Sequence, residues 1–245
     1  MVCRLPYHVV KMINKRKGVG FMESFWILGA GHFGSLAVKR ILQRKGRCNL
    51  LVVDHREDAL DDLRDEPLKI IKQDAVNFLS SHTGAGNEWI IPAIPEHVAF
   101  SWLCQQLTKE GTVTPIAPPS VIDQHIPNPM RGKGGVLYTS FATFRCPDDC
   151  EEPEEICRVT RERREANLYE LIQQIEVRGY KTLVVRSHQL TPGVGGYQLS
   201  TLWRLLQDVR SFDTNILVAT ACRCHGVINA LRFSRRANKA LNTRH

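Results

Sequence analysis

The sequence predicts an α/β protein: a doubly wound, mostly parallel sheet with a Cys-rich insertion or a second α/β half. Three observations carry this. Short apolar runs that end at glycine or aspartate alternate with segments whose apolar residues recur at helical spacing. The runs are continuously apolar, as in strands covered on both faces, and do not alternate as a half-exposed strand would. Finally, 245 residues with 43% hydrophobic and 24% charged side chains can bury a substantial core, which argues against a disordered chain.

Phe25 to Leu28 is apolar and closes on glycine, Ser35 to Leu42 has helical spacing, and Asn49 to Val53 is a second apolar run ending in Asp54. This is a βαβ unit. Lys69 to Lys72 and Trp89 to Ile94 supply two further strands, and Glu96 to Leu107 a helix. Five prolines, at 115, 118, 119, 127 and 129, exclude a regular helix between Thr112 and Gly135, so this stretch reads as a linker or insertion. Beyond it the pattern predicts strands over Val136 to Phe144, Thr182 to Val185 and Asn215 to Thr220. Helices are predicted over Arg163 to Val177, Tyr197 to Val209 and Val227 to Ala240. The organisation expected is a basic arm over 1–21, a dinucleotide-binding half over 22–111, a linker over 112–135 and a Cys-containing half over 136–245.

Gly29, Gly31 and Gly34 in LGAGHFG follow the pattern G-x-G-x-x-G. The first glycine permits a tight turn, the second lets a pyrophosphate approach the backbone, and the third lets helix and strand pack closely. The helix that begins near His32 and Phe33 would turn its free N–H groups and positive dipole end toward the phosphates. Asp54 closes the next strand, where a carboxylate accepts from adenosine ribose hydroxyls and repels a 2′-phosphate. NAD(H) is therefore expected over NADP(H), with Arg56 as a neighbouring contact, in a Rossmann-like domain.

The segments ILGAGHFG, LLVVD and IIKQDA, between Phe25 and Ala75, resemble the NAD-binding domain of potassium-uptake regulators of the TrkA-N or RCK type. Gln73 stands where that family usually has a glycine before its Asp-Ala pair. The resemblance covers about the first third of the chain. It implies NAD or another adenine nucleotide at Gly29, Gly31, Gly34 and Asp54, and no particular catalysis.

Of the eight cysteines, five fall in two groups: Cys146, Cys150 and Cys157 in a loop dense in acids, and Cys222 and Cys224, followed by His225. Thiolates and imidazole suit zinc and iron–sulfur clusters alike. The first group would supply three ligands, and Cys222, Cys224 or His225 the fourth. The spacing C-x3-C-x6-C fits neither a zinc ribbon nor a ferredoxin run, so a redox-active dithiol and unliganded thiols stand as alternatives. The acids between the thiols raise their pKa values, a repulsion that a bound cation relieves. If Asn215 to Thr220 ran parallel to Phe25 to Leu28, this centre would share one sheet edge with the glycine turn.

The net charge of +8 lies at the two ends of the chain: without the ten basic residues of Met1 to Phe21 and Leu231 to His245, 23 basic residues face 25 acidic ones. A specific nucleic-acid partner is not expected. Met22 reads as an alternative start, no membrane span is expected, and a cytoplasmic location follows. TPGVGGY, from Thr191 to Tyr197, is a second candidate anion loop, and His97 and His188 are candidate proton carriers. The functional expectation is an NAD(H)-binding oxidoreductase or electron-transfer component, whose partner is a small molecule or a redox protein. A homo-oligomer is compatible with it. The alternative is a non-enzymatic NAD(H)-sensing module with structural zinc.

Overall fold

A computed structural model of the chain describes residues 22–45 and 47–236; the expected basic arm lies outside them. The first stretch runs β1 (Ser24–Leu28), α1 (His32–Lys45), β2 (Asn49–Asp54), α2 (Glu57–Asp61), β3 (Lys69–Lys72), α3 (Ala75–Ser81), β4 (Trp89–Pro92) and α4 (Val98–Thr108). Then follow β5 (Gly111–Ile116), β6 (Met130–Arg131), β7 (Leu137–Ser140), α5 (Leu168–Gln173) and β8 (Tyr180–Arg186). The last elements are β9 (His188–Thr191), β10 (Val194–Gln198), α6 (Leu199–Ser211), β11 (Asn215–Ala221) and β12 (His225–Arg235).

The class is α/β, with two mixed sheets. One has the order β3-β2-β1-β4-β10-β9. Its first four strands are parallel, and β10 and β9 extend it antiparallel. The other has the order β6-β7-β12-β11-β8, with β5 also paired to β12. There β8 and β11 are parallel and the other pairings antiparallel.

Alternation along the strands explains the layers, because successive side chains point to opposite faces. Phe25 and Ile27 of β1 join Ala37, Val38 and Ile41 of α1 in one core, while Leu28 turns the other way toward Phe78, Trp102 and Leu103. This second core also takes Leu202 of α6 and, from the second sheet, Val218 and Leu231. Helices α3, α4 and α6 thus form a layer shared by both sheets. Leu217, Ala219 and Ile228 face outward to Leu168 and Ile172 of α5. Each fully buried leucine of this kind contributes about 1.5–3 kcal/mol of transfer free energy.

Four expectations are corrected. Val227 to Ala240 was expected as a helix, but His225–Arg235 is the strand β12, paired with β11, β5 and β7. A central strand is apolar on both faces, and such a run cannot be told from a buried helix by spacing alone. Thr112 to Gly135 is not a free linker, since Gly111–Ile116 pairs with β12 and Met130–Arg131 with β7. The helix expected over Arg163 to Val177 shrinks to Leu168–Gln173. Thr191 to Tyr197 is no loop before a helix but the β9–β10 hairpin.

His97 was expected as a proton carrier. It lies buried between α4 and the second sheet, with Nδ1 2.9 Å from Asn229 Oδ1 and Nε2 2.9 Å from Thr220 Oγ1. The amide oxygen only accepts, so Nδ1–H donates to it and Nε2 accepts from the threonine hydroxyl. Burial pushes its pKa down to about 4.

Candidate functional site

The glycine turn joins β1 to α1. Gly29 has φ 113 and donates to Val53 O at 2.7 Å; it sits in the left-handed region that favours glycine. A side chain at Gly34 would overlap the carbonyl of Gly29, so close helix–strand packing alone demands that glycine. Gly31 differs. A Cβ there would meet only the Arg56 guanidinium, at 3.5 Å. The packing of the chain leaves Gly31 unexplained, and the space above it at the start of α1 is open.

Asp54 closes β2 and is 5% exposed. Its Oδ2 accepts from Ala30 N at 2.8 Å and its Oδ1 from Arg56 N at 2.9 Å. Burial alone would raise its pKa, but these two N–H groups and the Arg56 guanidinium outweigh it and hold the carboxyl below the usual range. Gln73 needs no left-handed backbone; its N–H donates to Asp54 O at 3.0 Å, and Asp74 caps α3 through Asn77 N.

The cysteines expected to act together do line one cavity, of about 640 Å3. Cys146, Cys150 and Cys157 reach it from the long loop between β7 and α5, Cys222 and Cys224 from the turn between β11 and β12, together with His225. Phe33, from the first turn of α1, stands in the same wall. The route differs from the one expected: β11 lies in the second sheet, not beside β1. The loop itself crosses to the glycine turn. His32 Nε2 is 3.0 Å from Asp148 Oδ2, and Arg40 donates to the carbonyls of Asp148 and Pro192. Gly193 N donates to Cys150 O at 2.8 Å, and a side chain at Gly193 would overlap the Asp148 carbonyl. The hairpin glycine therefore serves the cysteine loop, and its N–H is not offered to an anion.

Within the cavity Cys146 Sγ is 3.5 Å from His225 Nε2, and Cys222 Sγ is 3.8 Å from His225 Nδ1. Burial, and then the neighbouring Cys150 and Cys157 sulfurs, raise the pKa of Cys146. Burial pushes Cys224 up to about 11 although Arg164 opposes it. Cys157 goes the other way, lowered chiefly by the backbone N–H of Thr160. Among the described residues, no three or more His, Cys, Asp or Glu side chains are drawn together at metal-binding geometry. The donors share a cavity without converging on a point.

Several contributors were missed in the sequence. Arg164 donates to Cys224 Sγ and to the carbonyls of Pro153 and Glu154, which is why the charged run before Asn167 is loop and not helix. Glu152 and Arg161, with φ 48 and 62, adopt the left-handed backbone in this loop, a conformation that costs of order 1–3 kcal/mol and persists only where surroundings impose it. Phe141 and Phe144 supply apolar wall. The one sequence signal available for them was proximity to the cysteines.

No solved structure matches the chain. An Archaeoglobus fulgidus protein described as "Uncharacterized protein" is 29% identical over 223 residues, covering 84% of this chain and 98% of the relative. A family model described as "Uncharacterized protein, C-terminal domain" matches residues 99–234, a range that spans both cysteine groups. On that match, over more than half of its length, the chain belongs to the AF_1314_C family.

Proposed function

We propose that this protein binds NAD(H) at the glycine turn and a thiolate-ligated metal centre, zinc or iron–sulfur, in the cysteine cavity, and that it works as an oxidoreductase or electron-transfer component. The observation that carries this reading is the single cavity lined by two sequence-distant cysteine groups and by Phe33 of the glycine turn. A Rossmann-like reading of the first sheet is supported by its parallel order β3-β2-β1-β4 with glycines between β1 and α1.

The residues fit the dinucleotide at Gly31, whose open space is unused by the fold. Backbone N–H groups of His32, Phe33 and Gly34 begin α1 and favour an anion. Asp54, kept ionised and positioned by Ala30 and Arg56, would accept from a ribose hydroxyl. For the metal, Cys146, Cys150 and Cys157 with Cys222 or Cys224 are the donors, and His225 is a further candidate. A bound cluster would exchange single electrons, whereas zinc would be structural or act as a Lewis acid. Phe33, Phe141 and Phe144 give the thiols apolar neighbours in the cavity wall.

The clamp of His32 and Arg40 on Asp148 favours a second reading, an NAD(H) sensor in which nucleotide binding shifts the cysteine loop around structural zinc. Anaerobic purification with metal analysis and an absorption spectrum separates the two. Iron with a broad visible band that NADH bleaches is expected for the first reading. Stoichiometric colourless zinc in a protein that does not turn over NADH would favour the second, and protein free of both metals with five freely reacting thiols would remove the metal centre altogether.

A further inference from the structure

The cysteine cavity shares Glu152, Pro153, Ser187 and Gln189 with a second cavity of about 440 Å3. The second is lined by three arginines: Arg44 of α1, Arg186 at the carboxyl end of β8, and Arg223 in the turn after β11. Glu151, Glu152 and Glu154 also face it. Two of these acids are matched by arginines, which leaves Arg44 and Arg186 against Glu152, whose carboxylate keeps its charge while it accepts a backbone N–H, an excess of positive charge. Glu151 pairs with Arg158 at 3.3 Å, Glu154 pairs with Arg223 at 3.0 Å, and Glu152 accepts the backbone N–H of Arg223.

Arg44 and Arg186 form no ion pair among the described residues. Arg186 instead lies over the Tyr169 ring, 4.2 Å from its centroid. Stacking holds a guanidinium plane in place and leaves its edge N–H donors available, which is the preorganised fork that matches an oxyanion. The position also fits: Arg186 and Arg223 follow the carboxyl ends of the parallel strands β8 and β11, the edge at which α/β sheets bind ligands.

We propose that this cavity is an oxyanion site, in which Arg186 and Arg44 hold the carboxylate or phosphate group of a small organic molecule. The body of that molecule extends along the shared wall toward the cysteines. Naming this anion as the substrate of the cysteine site rests on the proposed function; its binding does not.

The test titrates the purified full chain with inorganic phosphate and, separately, with succinate, at constant ionic strength in chloride, by calorimetry. Saturable binding of one of them is expected, phosphate preference marking a phosphorylated ligand and succinate preference a carboxylic acid. Arg186→Gln and, in case that variant fails to fold, Arg44→Gln should each weaken binding about tenfold or more, the value of one lost charge-assisted bond. Arg204→Gln, on the exposed side of α6, should leave it unchanged. The site is overturned if neither anion binds, if neither arginine variant that folds weakens binding, or if Arg204→Gln weakens it equally. Binding abolished by Gly31→Val alone would move the anion to the glycine turn and likewise overturn it. NADH affinity and metal content, measured on the same samples, report separately on the proposed function.

Discussion

The glycine turn and the cysteine cavity lie side by side, yet they are made in opposite ways. The turn is contiguous, closed by backbone hydrogen bonds between β1, β2 and α1, and its shape is complete in the chain itself. The cavity is assembled from the β7–α5 loop, the β11–β12 turn, the β9–β10 hairpin and one residue of α1, and among the described residues its sulfur and nitrogen donors do not converge. A site complete in its backbone tolerates ligand loss, whereas a site that needs its ligand to draw donors together ties binding to stability. The two should therefore respond differently to the same kind of damage.

The largest effect is expected within the turn. Gly34→Val places a side chain against the Gly29 carbonyl and should give no folded protein by circular dichroism. Gly31→Val meets only the end of Arg56, so its urea midpoint should stay near wild type while NADH affinity, read by calorimetry, falls at least about a hundredfold as the phosphate space is filled. Equal destabilisation by both would erase the distinction between a packing glycine and a binding one.

Next come the thiols. Serine at Cys146, Cys150 or Cys157 should release bound metal and lower the melting temperature, since ligation free energy is folding free energy. The same change at Cys48 or Cys104, which lie outside the cavity, should keep the metal and cost about 1 kcal/mol. Metal analysis of the five variants checks this, and loss of metal from Cys104→Ser would redraw the ligand set.

A smaller effect comes from His97. Its folded pKa, about 4, lies below its ordinary value of 6.5, so the unfolded chain binds the extra proton first as pH falls. The stability it confers is present above pH 6.5 and is lost as pH drops toward 4, by roughly 3 kcal/mol. His97→Gln should flatten the urea midpoint over that window; an unchanged acid limb would show that the imidazole is not held neutral.

The smallest expected effect is at the join of the two regions. His32→Ala removes an exposed pair with Asp148 and should change stability by less than about 1 kcal/mol. Its reach is tested by whether NADH still alters thiol reactivity at Cys150 in this variant, as it should in the wild type if α1 and the loop move together.

The same contrast governs how much was legible in the sequence. Gly29, Gly34 and Asp54 lie within one βαβ unit, and local spacing located every element of it. The cysteines could be grouped by type, but their meeting depends on β11 joining the second sheet and on Asp148 reaching His32, neither of which has a local signature. Arg164 was invisible for a related reason: the charged run around it looks helical, whereas its own guanidinium donates to the Pro153 and Glu154 carbonyls and to Cys224 Sγ. The division into two sheets was hidden because β9 and β10 return to the first sheet after β8 has joined the second.

The place of β12 at the middle of its sheet has a consequence for biosynthesis. It is the last strand among the described residues, yet β5, β7 and β11 all pair with it. While the chain is still being made, β5 and β7 must wait with unpaired edges, the condition under which chains pair wrongly with one another. The strand also follows directly on Cys222 and Cys224. This chain therefore cannot close its second sheet until translation has passed this strand.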